Sequence, residues 1–368
     1  MATPVTSSHQ RRAGSEYLTW TKRRAPVRYN LARSGVPRLA LERLHLTLED
    51  LLHNDNAEDG WRPLMERIAG RQGLSPEHVV TTHGCSMANH LALAATIERG
   101  HDVLVEHPVY EPVAKVIEYV GGRIVPFSRH AENRWHVDVA DVKRALTPKT
   151  KLIVLSNLHN PTGAYEDHGT ILDLAKAAEP TGARVLVDEV YLEFFRPHGA
   201  RTGVRLAPNV VATSSMTKVF GLDGIRLGWV LAEPELAERT RRLNDLFSIN
   251  TAHPSERIAA RAFDHADALL AESSTLLLRN IDVVDAFVRE HDRLSWAKPR
   301  AGTIGFIQAA EVDVDRLVDD LHAQHEVALV PGRFFGAPDG FRIAFGLPTD
   351  DMREALTRIG QALKARAS

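Results

Sequence analysis

Lys218 follows a short apolar run in "SSMTKVFGLDGIRLGW" (214–229), with Gly221 and Gly224 behind it and Arg226 eight residues on. A nucleotide-binding P-loop also combines glycine, lysine and a hydroxyl residue, but its glycines precede the lysine and Ser or Thr follows directly. In this chain Val219 follows Lys218 and both glycines lie downstream. The P-loop reading is excluded. Three more polar clusters sit where apolar runs end. "LSNLHNPTG" closes on the turn signal Asn160-Pro161-Thr162-Gly163, "VLVDEVY" carries Asp188 and Tyr191, and "VVTTHGCSMANHLALAA" sets Gly84 before a helical pattern. An ammonium, a carboxylate, an amide and an anion-favouring helix N-terminus are thereby offered at run ends. Taken singly, each has a plainer reading as a turn, a cap, a helix-entry glycine or a solvated lysine. The set is more specific than its members.

The elements that must position them alternate. Apolar runs at 102–106, 122–127, 151–157, 183–190, 209–215 and 226–232 are separated by helical patterns such as "EPVAKVIEYV", "VADVKRAL" and "HGTILDLAKAAE". Short β-branched runs alternating with helices predict βαβ units and a mainly parallel sheet covered on both faces. In such sheets ligands bind outside the carboxyl ends of the strands, where the four clusters fall. Residues 234–291 read as helical, broken near "INTAHPSE", with Ser255 or a neighbour as the expected cap of a long helix. The remainder predicts a smaller α+β unit. The expected division is an N-terminal arm and small-domain segment (1–45), a large domain (46–290) and a C-terminal small domain (291–368).

Composition sets the outer bounds. The chain has 368 residues, 44% hydrophobic and 25% charged, with a net charge of -2. That is ordinary for a soluble globular protein and gives no global field for nucleic acid or anionic membrane. The one cysteine, Cys85, excludes an internal disulfide framework and suits a reducing compartment, so a cytoplasmic location is expected. No apolar run reaches membrane-spanning length. Eighteen histidines show no HExxH pair or Cys/His cluster, so no metal is expected. "RTRRLND" reads as a charged helix face without the aromatic interleaving of a nucleic-acid surface. The Arg- and Ser-rich first thirty residues are expected to form a surface arm; Tyr17, Trp20 and Lys22 are its candidates for contacting a substrate side chain, and an ordinary packed arm is the favoured reading.

The run Ser-x-x-Lys-x-x-Gly-x-x-Gly-x-Arg-x-Gly, matched by Ser215, Lys218, Gly221, Gly224, Arg226 and Gly228, resembles the lysine motif of fold type I aminotransferases. These are the aspartate aminotransferase superfamily, which uses pyridoxal 5′-phosphate (PLP). "NPTG", the Asp-x-x-Tyr of "DEVY", the loop at Gly84, "HPVY" and "FRIAFG" occur in that family's order. The resemblance covers roughly residues 30–350. It implies a three-layer αβα large domain with a mainly parallel sheet, plus a smaller α+β domain.

The resemblance also implies roles. Lys218 would form a Schiff base with PLP and, once displaced by a substrate amine, act as a base beside Cα. Asp188 would keep the pyridine nitrogen protonated. Asn160 and Tyr191 would hydrogen-bond the phenolic oxygen, and Tyr110 would stack on the ring. Gly84, the amides of Cys85 and Ser86, the hydroxyls of Ser215 and Thr217, and the Arg226 guanidinium would share the phosphate dianion. A helix N-terminus contributes only about 0.3–1 kcal/mol and one charge-assisted bond roughly 1.5–3, so several donors must converge. Gly221 and Gly224 are expected to turn the chain back so that Arg226 reaches the phosphate. Arg342 would grip the substrate α-carboxylate, where a permanently charged planar fork suits bidentate contact. Gly35 and Asn160 would touch substrate too.

The expected activity is amino transfer between an L-amino acid and a 2-oxo acid in a homodimer. The alternatives are β-elimination by a C–S lyase, or specialised amino-acid modification in secondary metabolism. One departure bears on the dimer. Relatives often carry a tyrosine shortly before the residue matching Gly60, donated to the partner's phosphate, and "LLHNDNAEDGW" has His53, Asn54 and Asn56 but no tyrosine.

Overall fold

The computed structural model describes residues 14–51 and 59–365. Its strands form where the apolar runs lie. In chain order they are β1 (Tyr29–Asn30), β2 (Val79–Thr82), β3 (Asp102–His107), β4 (Arg123–Ser128), β5 (Thr150–Ser156), β6 (Arg184–Asp188) and β7 (Val210–Ser215), followed by β8 (Gly228–Leu231), β9 (Leu294–Trp296), β10 (Ile304–Ala309), β11 (Val327–Ala328), β12 (Val330–Pro331) and β13 (Gly340–Ala344). The helices are α1 (Glu16–Arg23), α2 (Arg62–Gln72), α3 (Gly84–Thr96), α4 (Glu111–Val120), α5 (Val139–Ala145) and α6 (His168–Ala178), then α7 (Met216–Val219), α8 (Pro234–Asp245), α9 (His253–Asp264), α10 (Ala266–Arg289), α11 (Val314–His325) and α12 (Thr349–Lys364).

Seven strands make the main sheet in the order β2-β8-β7-β6-β5-β3-β4. Strands β3 to β7 are mutually parallel, and β8 runs antiparallel to both β2 and β7. Side-chain alternation shows why the runs are apolar throughout. On β6, Val185 and Val187 face one core while Leu186 faces the other. Each such side chain contributes about 1.5–3 kcal/mol when fully buried, and a strand covered on both faces leaves no position for a polar residue before its end. α3, α4 and α8 cover one face through Ala88, Ala92, Ile117 and Leu236.

The chain moves outward from β3 to β4 and then returns to β5 on the other side of β3. That reversal opens a crevice at the carboxyl ends of β3 and β5. A second, antiparallel sheet has the order β12-β13-β10-β9, and the two-residue β1 pairs in parallel with β11. The described residues thus form a mixed α/β structure with helices around a mostly parallel sheet, as expected.

The predicted long helix near 255 is two helices. α9 starts with Pro254 in its first turn and has Ala252 as N-cap without a side-chain cap, so Ser255 lies inside the helix. The break comes at His265, which leaves helical geometry between α9 and α10. No described helix is long and apolar enough to cross a membrane.

Candidate active site

The carboxyl ends of β3, β5, β6 and β7 open onto one cavity of about 150 Å³, lined by Cys85, Ser86, Tyr110, Asn160, Asp188, Tyr191, Ser215, Thr217, Lys218 and Arg226. Ten of the predicted site residues therefore share one chamber. Lys218 reaches it because α7 begins directly after β7, with the Ser215 hydroxyl accepting from the Thr217 amide to start the turn. The Lys218 ammonium donates to Ser34 Oγ at 3.0 Å. Ser34 is held by its loop: Val36 N donates to Lys218 O at 3.0 Å, and Thr303 Oγ1 donates to Ser34 O at 2.8 Å. Burial, and then the cations of Arg342 and Arg33, push the lysine down to about 8. Gly35 packs against the backbone of Lys218, next to Ser34.

Asp188, the last residue of β6, accepts from Asn89 Nδ2 at 2.9 Å and Val190 N at 3.1 Å, with the Cys85 thiol at 3.5 Å. Asn89 is itself oriented by Thr213 Oγ1, which donates to its Oδ1 at 2.6 Å. Burial pushes the Asp188 carboxyl above its ordinary range in spite of these donors. A cationic ring nitrogen facing it would reverse that shift. Burial likewise pushes Tyr191 up to about 12.

Arg342, on β13, is completely buried and bonds to the chamber residue Asn160. Its Nη1 donates to Asn160 Oδ1 at 3.0 Å, and its Nη2 to Tyr17 Oη at 2.9 Å and Ala32 O at 3.0 Å. Its Nε has no partner. A buried donor left open costs about 1–3 kcal/mol, which is tolerable where a carboxylate arrives to fill it. The Tyr17 ring stands edge-on to Tyr110 with centroids 5.7 Å apart. The N-terminal arm is therefore no mere surface packing: α1 brings Tyr17 into the site, while Trp20 packs on Phe334 outside it.

The phosphate corner is built by close approach. Gly84 has φ +78 and Arg226 φ +52, and a Cβ on Gly84 would overlap the Arg226 guanidinium. A Cβ on Gly228 would stand 2.5 Å from Gly84 C and 2.7 Å from Cys85 N. The two glycines let β8, the start of α3 and Arg226 converge. No side chain caps α3, so its first amides remain for an anion. An uncapped helix start with a guanidinium beside it fits a phosphate. The expected role of the two downstream glycines is only half right. Gly221 has φ +67, and a Cβ there would strike Pro37 O. Gly224 faces open space and has no positive φ, so neither conformation nor packing requires it.

Sequence reasoning missed Ser34, Asn89, Glu106 and Ser156. Asn89 could have been found as the one amide on the buried face of α3; the others carry no motif. His53, Asn54 and Asn56 lie outside the described residues, and among the described residues no cluster fit for a metal occurs.

The family model for aminotransferase class I and II matches residues 59–359. The chain belongs to this family. Its members here are PLP enzymes of fold type I, and the site fits that cofactor. The chain is 31% identical to capreomycidine synthase from Streptomyces vinaceus over 325 residues, covering 87% of this chain and 83% of that protein. It is 26% identical to an arginine–pyruvate transaminase of Pseudomonas aeruginosa, covering 82% and 80%. Among solved structures, the PLP-dependent cyclase OrfR aligns with a TM-score of 0.86 at 26% identity, covering 99% of this chain and all (100%) of that one. A PLP-dependent aminotransferase from Streptococcus suis aligns at 0.85 and 25% identity, covering 92% and 94%.

Proposed function

We propose that this member of the family acts on an L-amino acid that carries a leaving group on Cβ and a nucleophilic side-chain group. Lys218 takes the Cα proton, the Cβ group departs with its bonding electron pair, the side-chain nucleophile adds to Cβ and gives up a proton, and a proton returns to Cα. A ring closes and the α-nitrogen is kept. The observation that carries the first half is Lys218 lining one chamber with Asn160, which accepts from the buried Arg342 guanidinium; the amine is brought to about 8 and the guanidinium Nε is left open. The second half is supported by the likeness to capreomycidine synthase and to the cyclase OrfR.

PLP, when bound, supplies a cationic ring that accepts the electron pair left at Cα. The chain's residues do the rest. Asp188 favours the protonated pyridine nitrogen, with Asn89 and Val190 holding its oxygens. Asn160 and Tyr191 would donate to the phenolic oxygen, and Tyr110 would lie against the ring. Cys85 and Ser86 amides, the hydroxyls of Ser215 and Thr217, and Arg226 would hold the phosphate, with Gly84 leaving them room. Arg342 takes the α-carboxylate, beside Asn160 and the Gly35 backbone. Ser34 would receive the lysine amine once a substrate amine has displaced it from the cofactor, and the freed amine would then be a base matched to neutral pH. The active unit is a homodimer, and the chain divides at 1–45, 46–290 and 291–368.

A second reading is supported by the transaminase relatives: the same lysine returns its proton and the amino group passes to a 2-oxo acid. Single L-amino acids with isotope-labelled amino nitrogen, incubated with and without pyruvate or 2-oxoglutarate, separate the two. Ring closure predicts a nitrogen-retaining product without an acceptor. Acceptor-dependent transfer of the label establishes the second reading instead. If no donor changes the visible cofactor absorbance, both are wrong.

A further inference from the structure

Beneath the Asn160 turn lies a buried polar cluster that no step above uses. Glu106, at the end of β3, is almost completely buried, as are Arg129, His159 and Glu166. Glu106 Oε1 accepts from Ser156 N at 2.7 Å and Ser156 Oγ at 2.6 Å. Ser156 Oγ in turn accepts from Asn160 N at 3.0 Å. The serine hydrogen must therefore point to Glu106, because the oxygen's other side already receives the Asn160 amide. Glu106 Oε2 lies 2.8 Å from Arg129 Nη2, and Arg129 Nη1 donates to Glu166 Oε1 at 2.7 Å. Around the turn, His159 Nε2 lies 2.8 Å from Pro108 O and its Nδ1 2.7 Å from Thr162 Oγ1. A carbonyl only accepts, so His159 carries its hydrogen on Nε2. Asn157 and Glu166 close the turn from outside through a reciprocal amide pair, Asn157 Nδ2 to Glu166 O at 2.8 Å and Glu166 N to Asn157 Oδ1 at 3.1 Å.

Burying two carboxylates around one arginine costs several kcal/mol per unpaired ion, and packing alone would be served better by apolar residues. Glu106 and Ser156 both line the chamber, and Ser156 carries the contact from Glu106 to the Asn160 backbone. We propose that Glu106 is a positioning residue: through Ser156 it fixes Asn160 above the sheet, and through Asn160 the setting of Arg342. Three hydrogen bonds in series join the floor of β3 to the carboxylate-binding guanidinium. The chain of contacts also explains why a serine ends β5, where the buried Ile153, Val154 and Leu155 precede it.

The inference rests on Asn160 touching the phenolic oxygen of PLP, so its test includes Asn160 itself. In substrate-free holoenzyme, the pH midpoint of the visible cofactor band reads the hydrogen bonding of that oxygen without turnover. Asn160→Ala is expected to move the midpoint, and Ser156→Ala to move it in the same direction by at least about half a pH unit, a threefold change in proton affinity. Ser156→Thr, which keeps the hydroxyl, restores it. Glu106→Gln, which keeps an acceptor oxygen for Ser156, is expected to shift it less than Ser156→Ala. Thermal melts confirm that each variant is folded, and Ser156→Ala removes one oxygen only. If Asn160→Ala shifts the midpoint and Ser156→Ala does not, the positioning role is overturned while the site stands. If Asn160→Ala leaves it unmoved, the placement of Asn160 on the cofactor fails, and the proposal with it.

Discussion

Arg342 Nη1 donates to Asn160 Oδ1 at 3.0 Å across 182 residues of sequence. One hydrogen bond thus joins the small antiparallel sheet to the turn that follows β5, at the point where a substrate carboxylate would bind. The same guanidinium is steadied by Tyr17 from the N-terminal arm at 2.9 Å. Three segments far apart in sequence meet on one side chain.

Replacing Arg342 with lysine keeps the charge and loses the fork. With a charge-assisted bond contributing about 1.5–3 kcal/mol, KM for the amino acid is expected to rise about 10- to 100-fold. Tyr17→Phe removes one neutral partner and is expected to raise KM about 3- to 10-fold. Steady-state kinetics on a substrate found by the donor panel check both. A Tyr17→Phe enzyme with lower kcat and unchanged KM would place the tyrosine elsewhere in the reaction.

Gly84 and Gly224 should behave oppositely on substitution. Gly84→Ala forces a side chain into a positive-φ position against Arg226, a strain on the order of 1–3 kcal/mol. PLP affinity should fall on the order of tenfold or more. Gly224→Ala fills open space and should change affinity and stability by no more than about 0.5 kcal/mol. Equilibrium titration of apoprotein with PLP, followed by absorbance, reads both.

Capture of PLP by the apoprotein needs a neutral lysine. With Lys218 brought down to about 8, the amine is charged below that pH and neutral above it. The capture rate should therefore rise with pH and level off above about 8, whereas an ordinary lysine would keep gaining towards 10.5. Arg342→Gln removes the second cause of the shift, after burial, and should move the midpoint upward. Stopped-flow absorbance across pH 6–10 makes the measurement, with the window set by those two values.

Much of this site was legible because chemistry confined it to strand ends. Asp188 ends β6, and Lys218 and Asn160 follow within a few residues of the ends of β7 and β5, at the edge where parallel strands present their carboxyl termini, and order along the chain then matched a known motif set. Ser34 and Glu106 were not legible, because a lone serine in a loop or a glutamate at a strand end has many uses, and only the fold shows which group it faces. The arm was misjudged for a related reason: Tyr17 is polar-tipped and lies far from every motif, so its contact with Arg342 exists only in three dimensions. The break at His265 was hidden because both flanks are good helix formers, and a change of direction between two helices leaves no proline or glycine there.

The central claim is that Lys218 holds the cofactor. Borohydride reduction of the purified holoenzyme, followed by proteolysis and mass spectrometry of the peptides, tests it directly. A reduced pyridoxyl-phosphate adduct is expected on Lys218, with loss of both the adduct and the visible absorbance in Lys218→Ala. An adduct on another lysine, or visible absorbance and turnover that persist in Lys218→Ala, would contradict it.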